Sequence, residues 1–481
     1  MSQEKLTVFS PDHVVESDGL EDRLREIEAL DDVYKVVGLV DVHMKASTEC
    51  PSSVVTATEN YIYPKLSSVA QNCGMSLAHT GYRREQIDDA DIDRFMDAVS
   101  TSDARIMARP DLTVRDMEAV VREGAGAIIE KFGMSADVRR NLEFDGCIPA
   151  AGEDGADDLH SVVPRRTLDR GRYGFGVIPS GNHFLELQVV EELLDAEECE
   201  KWRLGVGDVM VMIHSDGGVV SDDLGNLYGN RSTASGLPKL VYNLRKSLLH
   251  LGNVSQMKNF ERRWAYYFRS EKYGRIDPDS VEGRRYLRAH AMSMNAGYAS
   301  RLESLRRFGE LMRSSWGEAD GEYTVLRDLS HNSIFREVVD GKEMWVHRHN
   351  VNRVRPGDFA FLPGYDYTSS YVCIGGEGAE TCLNSVDHGA GETIKRFKKA
   401  GRLTEFGPDR VTRRYDNLSS GPRIVPHVSD EGIRSVVDFL QDRRVIHPIA
   451  RLRPFAGYRY MWRGRATRTI EKVKSLLPGR G

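Results

Sequence analysis

Cysteine is scarce in this chain of 481 residues. The six present (Cys50, Cys73, Cys147, Cys199, Cys373, Cys382) lie far apart, with no CxxC pair among them. That spacing excludes a disulfide framework and a four-cysteine zinc site, and makes a reducing compartment the simpler reading. Long apolar runs are missing too. Nothing approaches about 18 uninterrupted apolar residues, and the opening MSQEKLTVFSPDHVVESDGLEDR has no apolar core of signal-peptide length, so a cytoplasmic protein without a membrane segment is expected. Internal repeats and low-complexity tracts are absent. An excess of one charge is also lacking: 66 Lys and Arg stand against 72 Asp and Glu, a net of -6. A general polyanion binder is disfavoured by that sum, but a local basic surface is not.

The distribution shows such surfaces. Acid gathers in the N-terminal segment and the 153–158 loop, whereas 237–316, 395–414 and the tail from Arg459 to Gly481 are rich in Arg and Lys. With 40% hydrophobic and 29% charged residues the chain forms a core, and its length suits about three domains or one large domain with an insertion. Apolar residues recurring at three and four predict a helix over EDRLREIEALDDVYKV and an amphipathic helix over 111–133 closed by Gly133. KVVGLVDVHM reads as a buried strand that delivers Asp41 and His43 at its end. Residues 237–316 read as an inserted helical element. Its run Arg262, Arg263, Trp264, Tyr266, Tyr267, Phe268, Arg269 suits either base stacking or a helix core with solvated arginines.

Histidine placement carries the chemistry. His43, His183, His214, His331, His347, His349 and His388 follow apolar strands and sit beside Gly, Ser, Asn or Asp. One such histidine is ordinarily structural, but several together suggest a catalytic site whose imidazoles, with a thiolate such as Cys73, hold manganese or zinc.

The motifs PSGNHFLELQ, VMIHSDGG, SHNSIFRE, WVHRHN, LPGYDYTSSYV and SVDHGAG occur in this order, preceded by DVH and NCGM. Together they resemble the RtcB-type RNA ligase family, from about Val36 to about Pro454. The resemblance implies an α+β fold. It divides the chain into an acidic segment at 1–33, one large RtcB-like catalytic domain at 34–458 with the helical insertion at about 237–316, and a basic tail at 459–481. It implies a GTP- and Mn(2+)-dependent ligase of RNA repair or tRNA processing, joining a 3′-phosphate or 2′,3′-cyclic phosphate end to a 5′-hydroxyl end. His388 would be the nucleophile that carries GMP. Cys73, His183, His214 and His331 would be metal ligands. Asn182, Glu186, Pro363, Gly364, Ser385, His388, Gly389, Ala390 and Gly391 would contact the nucleotide, although Glu186 alone also reads as an exposed strand residue. The partners implied are RNA with those ends and an activating protein.

The chain departs from the pattern in places. Ala70 stands where the family has a ligating aspartate, so that Asp41, Asn72 or water would have to substitute. Glu392 and Gly218 replace arginines, Asp216 replaces a glycine, and the family's terminal Lys-Gly has no clean counterpart. Asp387 reads as a surface or structural carboxylate. These departures leave two further readings: a guanylyltransferase that caps a different nucleic-acid end, and a non-catalytic nucleotide- or RNA-binding paralogue.

Overall fold

The β-branched and apolar runs form sixteen strands in the computed structural model, which describes residues 5–9, 19–45, 48–149, 159–229, 237–252, 260–269 and 271–461. The acidic 153–158 loop and the tail beyond Met461 lie outside the described residues. The strands are β1 (Leu6–Val8), β2 (Val33–His43), β3 (Ser52–Thr58), β4 (Gly74–Arg83), β5 (Phe184–Leu193), β6 (Asp208–Ser215), β7 (Thr324–Ser330), β8 (Asn332–Val339), β9 (Lys342–His349), β10 (Val351–Arg353), β11 (Phe359–Leu362), β12 (Ser370–Gly375), β13 (Ser385–Asp387), β14 (Val411–Asp416), β15 (Arg423–Pro426) and β16 (Ile446–Arg459). The larger sheet runs β11, β12, β16, β5, β6, β4, β7, with β14 and β15 attached beside β16. A second sheet runs β1, β2, β3, β9, β8, and β10 pairs with β13. The fold is therefore mixed α and β.

Every residue of β6, DVMVMIHS, is buried, as a strand covered on both faces requires. One covering element is a 36-residue helix. The helices that position the site are α1 (Asp89–Ala108), α2 (Val114–Glu123), α3 (Ala125–Phe132), α4 (Gly218–Gly229), α5 (Val281–Trp316), α6 (Gly391–Lys399) and α7 (Glu431–Asp442). The Ser280 side chain caps α5 by accepting from Gly283 N at 3.0 Å, and Gly317 at φ 84° ends it. About 54 Å long by its residue count, α5 packs on α1 to α4 and reaches β4 and β6. Small residues let it approach closely: a Cβ on Gly297 would lie 2.7 Å from Asn72.

The stretch 237–316 thus divides in two. Its second half, α5, lies in the main core, while Leu240, Leu244 and Leu248 of the helix Leu237–Leu251 are exposed. In Phe260–Tyr267, Tyr267 is buried and stacks on His250 at 3.5 Å, and Arg263 pairs with Glu282 at 2.5 Å, so these residues dock the segment onto α5. Trp264 stays exposed.

Two expectations need correction. The single helix over 111–133 is two, because Gly124 takes φ 59° and a Cβ there would fall 2.1 Å from the Gly146 carbonyl. The N-terminal helix spans only Leu20–Glu28; from Val33 the β-branched residues pair with β3 instead.

Candidate active site

Strand register gathers the predicted residues at one end of the larger sheet. β4 is antiparallel to both β6 and β7, so Gly74 at its start faces Ser215 at the end of β6 and Ser330 at the end of β7. Cys73, His214 and His331 each adjoin one of those three residues. Phe184, at the start of β5, pairs with His214 and brings His183 alongside. His331 is the single residue between β7 of one sheet and β8 of the other, so it marks their junction. His388 follows β13, which is tied to the second sheet through β10 and Val351 N, a donor to the His331 carbonyl at 2.9 Å.

The side chains converge. Cys73 Sγ lies 3.3 Å from His183 Nε2 and 3.1 Å from His214 Nε2. The rings continue in a line, with centroids 4.8 Å apart for His183 and His214, 5.0 Å for His214 and His331, and 4.8 Å for His331 and His388. Backbone carbonyls orient two of them: His183 Nδ1 bonds to Ser180 O at 3.1 Å and His214 Nδ1 to Asn182 O at 3.2 Å, which turns each Nε2 toward the sulfur. Two atoms bound to one cation lie about 3 to 3.5 Å apart, and the sulfur–nitrogen separations fall in that range. The ligand atoms of Cys73, His183 and His214 all lie within 4.8 Å of one another. His331 Nδ1 is buried without a hydrogen-bond partner among the described residues. A thiol, imidazoles and an orphaned ring nitrogen fit a bound divalent cation.

Burial sets the electrostatics. It pushes the His388 pKa down to about 3, with Lys45 and His43 adding to the effect. His214 and His331 fall well below the usual imidazole value, again mainly through burial. All three are neutral near pH 7, the form needed for a ligand or a nucleophile. Burial raises the Cys73 thiol strongly, the Asp216 charge adds to this, and Arg301 and Lys45 oppose it. The thiol would therefore release its proton to solvent only when a cation takes its place on the sulfur.

The loops match the expected nucleotide contacts unevenly. Asn182 is exposed at the turn before β5. Glu186 is not an exposed strand residue: it is buried, accepts from Gln188 Nε2 at 2.9 Å, and is raised to about 7 by burial and then by Asp366. Pro363 O accepts from Ala390 N at 3.2 Å, and a Cβ on Gly389 would lie 3.1 Å from that carbonyl, so these residues and Gly364 and Gly391 form one close-packed cradle. Ser385 stands apart, its hydroxyl donating to Leu383 O at 2.9 Å and accepting from Arg348 Nε at 3.0 Å.

Asp41 and Asn72 do not stand in for the missing aspartate at Ala70. The Asp41 carboxylate accepts from Thr393 N at 2.7 Å and Glu392 N at 3.1 Å, capping α6 behind His388, and Asp41 N donates to Asp387 Oδ1 at 3.0 Å. Asp387 is fully buried rather than on the surface. Asn72 gives its amide to Met294 O at 2.5 Å and its oxygen to Arg301 at 2.8 Å. The Glu392 charge is offset by Lys395 at 3.5 Å and Arg396 at 3.9 Å.

Sequence reasoning missed Arg301. Arg301 is fully buried, forks onto Asp328 at 2.6 and 2.7 Å, and bonds Asn72 O at 2.8 Å and Ser215 O at 3.3 Å, so it fixes the turns before Cys73 and after His214. The available signal was a lone arginine inside the small-residue stretch MSMNAGYASRLESL. Lys45 follows β2, and its charge acts on Cys73, His331 and His388.

A family model described as tRNA-splicing ligase RtcB matches residues 23–459. Curated relatives bearing that same name include a Methanopyrus kandleri protein, 28% identical over 386 residues, which covers 72% of this chain and 36% of that protein. A Pyrococcus horikoshii protein is 26% identical over 420 residues, 80% of this chain and 44% of its own length. A Thermococcus kodakarensis protein is 25% identical over 436 residues, covering 83% of this chain and 82% of its length. The chain spans less than half the length of the first two relatives.

Proposed function

Since the chain belongs to the tRNA-splicing ligase RtcB family, we propose that it is a GTP-dependent RNA ligase that joins a 3′-phosphate or 2′,3′-cyclic phosphate end to a 5′-hydroxyl end. The observation that carries this reading is the line of Cys73, His183, His214, His331 and His388 at the junction of the two sheets. A metal ligand set and a neutral imidazole nucleophile lie side by side there.

In this reading the His388 ring attacks the α-phosphate of GTP, a P–N bond forms, and pyrophosphate leaves. GMP then passes to the RNA 3′-phosphate, and the 5′-hydroxyl oxygen attacks that phosphate, expelling GMP. Cys73, His183, His214 and His331 would hold manganese, which when bound offsets phosphate charge. The Gly389–Gly391 turn packs against Pro363 and Tyr365, and Lys45 supplies positive charge beside the ring. Burial keeps His388 unprotonated and so available to attack.

The test is intact mass of protein incubated with manganese and GTP. An acid-labile GMP adduct is expected on the wild type and none on His388→Ala; no adduct with any divalent metal would sink the proposal. Adding RNA with a 3′-phosphate end and RNA with a 5′-hydroxyl end separates joining from capping by product length.

A further inference from the structure

Asp216 follows β6 two residues after His214, and its side chain is almost buried beside the cluster. Its Oδ2 lies 3.8 Å from His183 Nε2, and its charge is the largest single one acting on the Cys73 sulfur. The other oxygen, Oδ1, is taken by Gly218 N at 2.8 Å, which fixes the carboxylate plane and leaves Oδ2 directed at the histidine. Gly218 takes φ 59° and opens α4, so the turn that aims Asp216 depends on a residue that tolerates that conformation.

Among the described residues no Lys or Arg pairs with Oδ2. Arg301, a buried guanidinium on α5, is committed to Asp328, Asn72 and Ser215. Position 70 is Ala70, whose carbonyl accepts from Asn332 Nδ2 at 3.2 Å and which offers no side-chain donor. The Asp41 carboxylate is spent on α6 and the Asn72 side chain on α5. Asp216 is thus the carboxylate with an oxygen free to join the His183 side of the sulfur. The 3.8 Å separation from His183 is longer than the usual ligand–ligand distance of about 3 to 3.5 Å, and Asp216 lies outside the tight group of Cys73, His183 and His214, so a bound cation has to draw the carboxylate inward.

We infer that Asp216 is a metal ligand. With Cys73 and His183 it would hold a divalent cation beside the group to which His214 also belongs. This rests on the metal-dependent reading above and assigns to Asp216 the anionic oxygen that Ala70 lacks. A carboxylate oxygen in the set moves the preference toward manganese over softer ions.

Manganese binding to the full chain, read by the loss of free-ion EPR signal and by calorimetry, tests it without any turnover. Asp216→Asn keeps the acceptor for Gly218 N but removes the anionic oxygen; it should weaken manganese at one site by roughly 10- to 100-fold. Ala70→Asp added to that variant should restore most of the loss. His214→Ala serves as the reference. If it loses metal while Asp216→Asn binds within twofold of the wild type, the ligand assignment is overturned and the metal-dependent reading stands. If the wild type binds no manganese, both fall.

Discussion

At the residue scale, the site is held by acids that do no chemistry of their own. Asp387 is buried, and burial, with the charge of Asp41 second, raises it to about 7. In the unfolded chain it ionises near the ordinary 3.8. Between those values the folded chain holds a proton that the unfolded chain releases. The associated stability is therefore complete below about pH 4 and is lost as pH rises through about 7. Asp387→Asn keeps the acceptor for Asp41 N and does not titrate. It should gain roughly 1–3 kcal/mol on the wild type between pH 5 and pH 8. Thermal melts at the two pH values check this; a difference that stays constant or narrows with rising pH contradicts it.

At the scale of elements, α5 governs the metal loop. Gly297 lies against Asn72, which sits in the left-handed region at φ 54° and precedes Cys73. A side chain at 297 has to push that turn, and overpacking of this kind costs about 1–3 kcal/mol. Gly297→Val should therefore lower the melting temperature and also weaken manganese binding, because the displaced turn carries the sulfur. A loss of stability with unchanged metal affinity would show that the turn moves independently of α5. Arg301 acts in the same direction: its bonds to Asn72 O and Ser215 O join two loops that the sheet register alone leaves adjacent but unfixed. Arg301→Met, which removes one partner of a buried pair, should cost several kcal/mol, on the order of 3–5, and a denaturant titration would read it.

For the whole molecule, the site depends on two sheets meeting. His214 belongs to the larger sheet, Cys73 and His183 immediately precede two of its strands, His331 lies between the sheets, and His388 follows the strand paired with β10. A cation bound across that junction stabilises only the folded arrangement. Manganese at about one hundred times its dissociation constant should add roughly 2.7 kcal/mol. The melting temperature should then rise by a few degrees and return on chelation. The same shift is expected to vanish in Cys73→Ser; its persistence there would place the binding elsewhere.

Parts whose chemistry is local follow from the residues alone. Buried β-branched strands, the helix periodicities and the collinear histidine motifs were legible because each depends on a few neighbouring residues. Cys73, His183, His214, His331 and His388 each stand in a motif that can be read without distances. The Gly124 break was not legible, because it answers to the Gly146 carbonyl more than twenty positions away. Nor was the interior place of α5, whose arginine looks solvent-facing until Asp328 is seen beside it. Asp216 read as a departure and Asp41 as a candidate replacement ligand; their roles came from long-range pairing, of Asp216 with His183 and of Asp41 with Thr393. Burial and partner choice are set by antiparallel register and helix packing, which bring together residues far apart in the chain. Charge neutralisation at this site is therefore a property of tertiary structure, while the ligand types are a property of sequence.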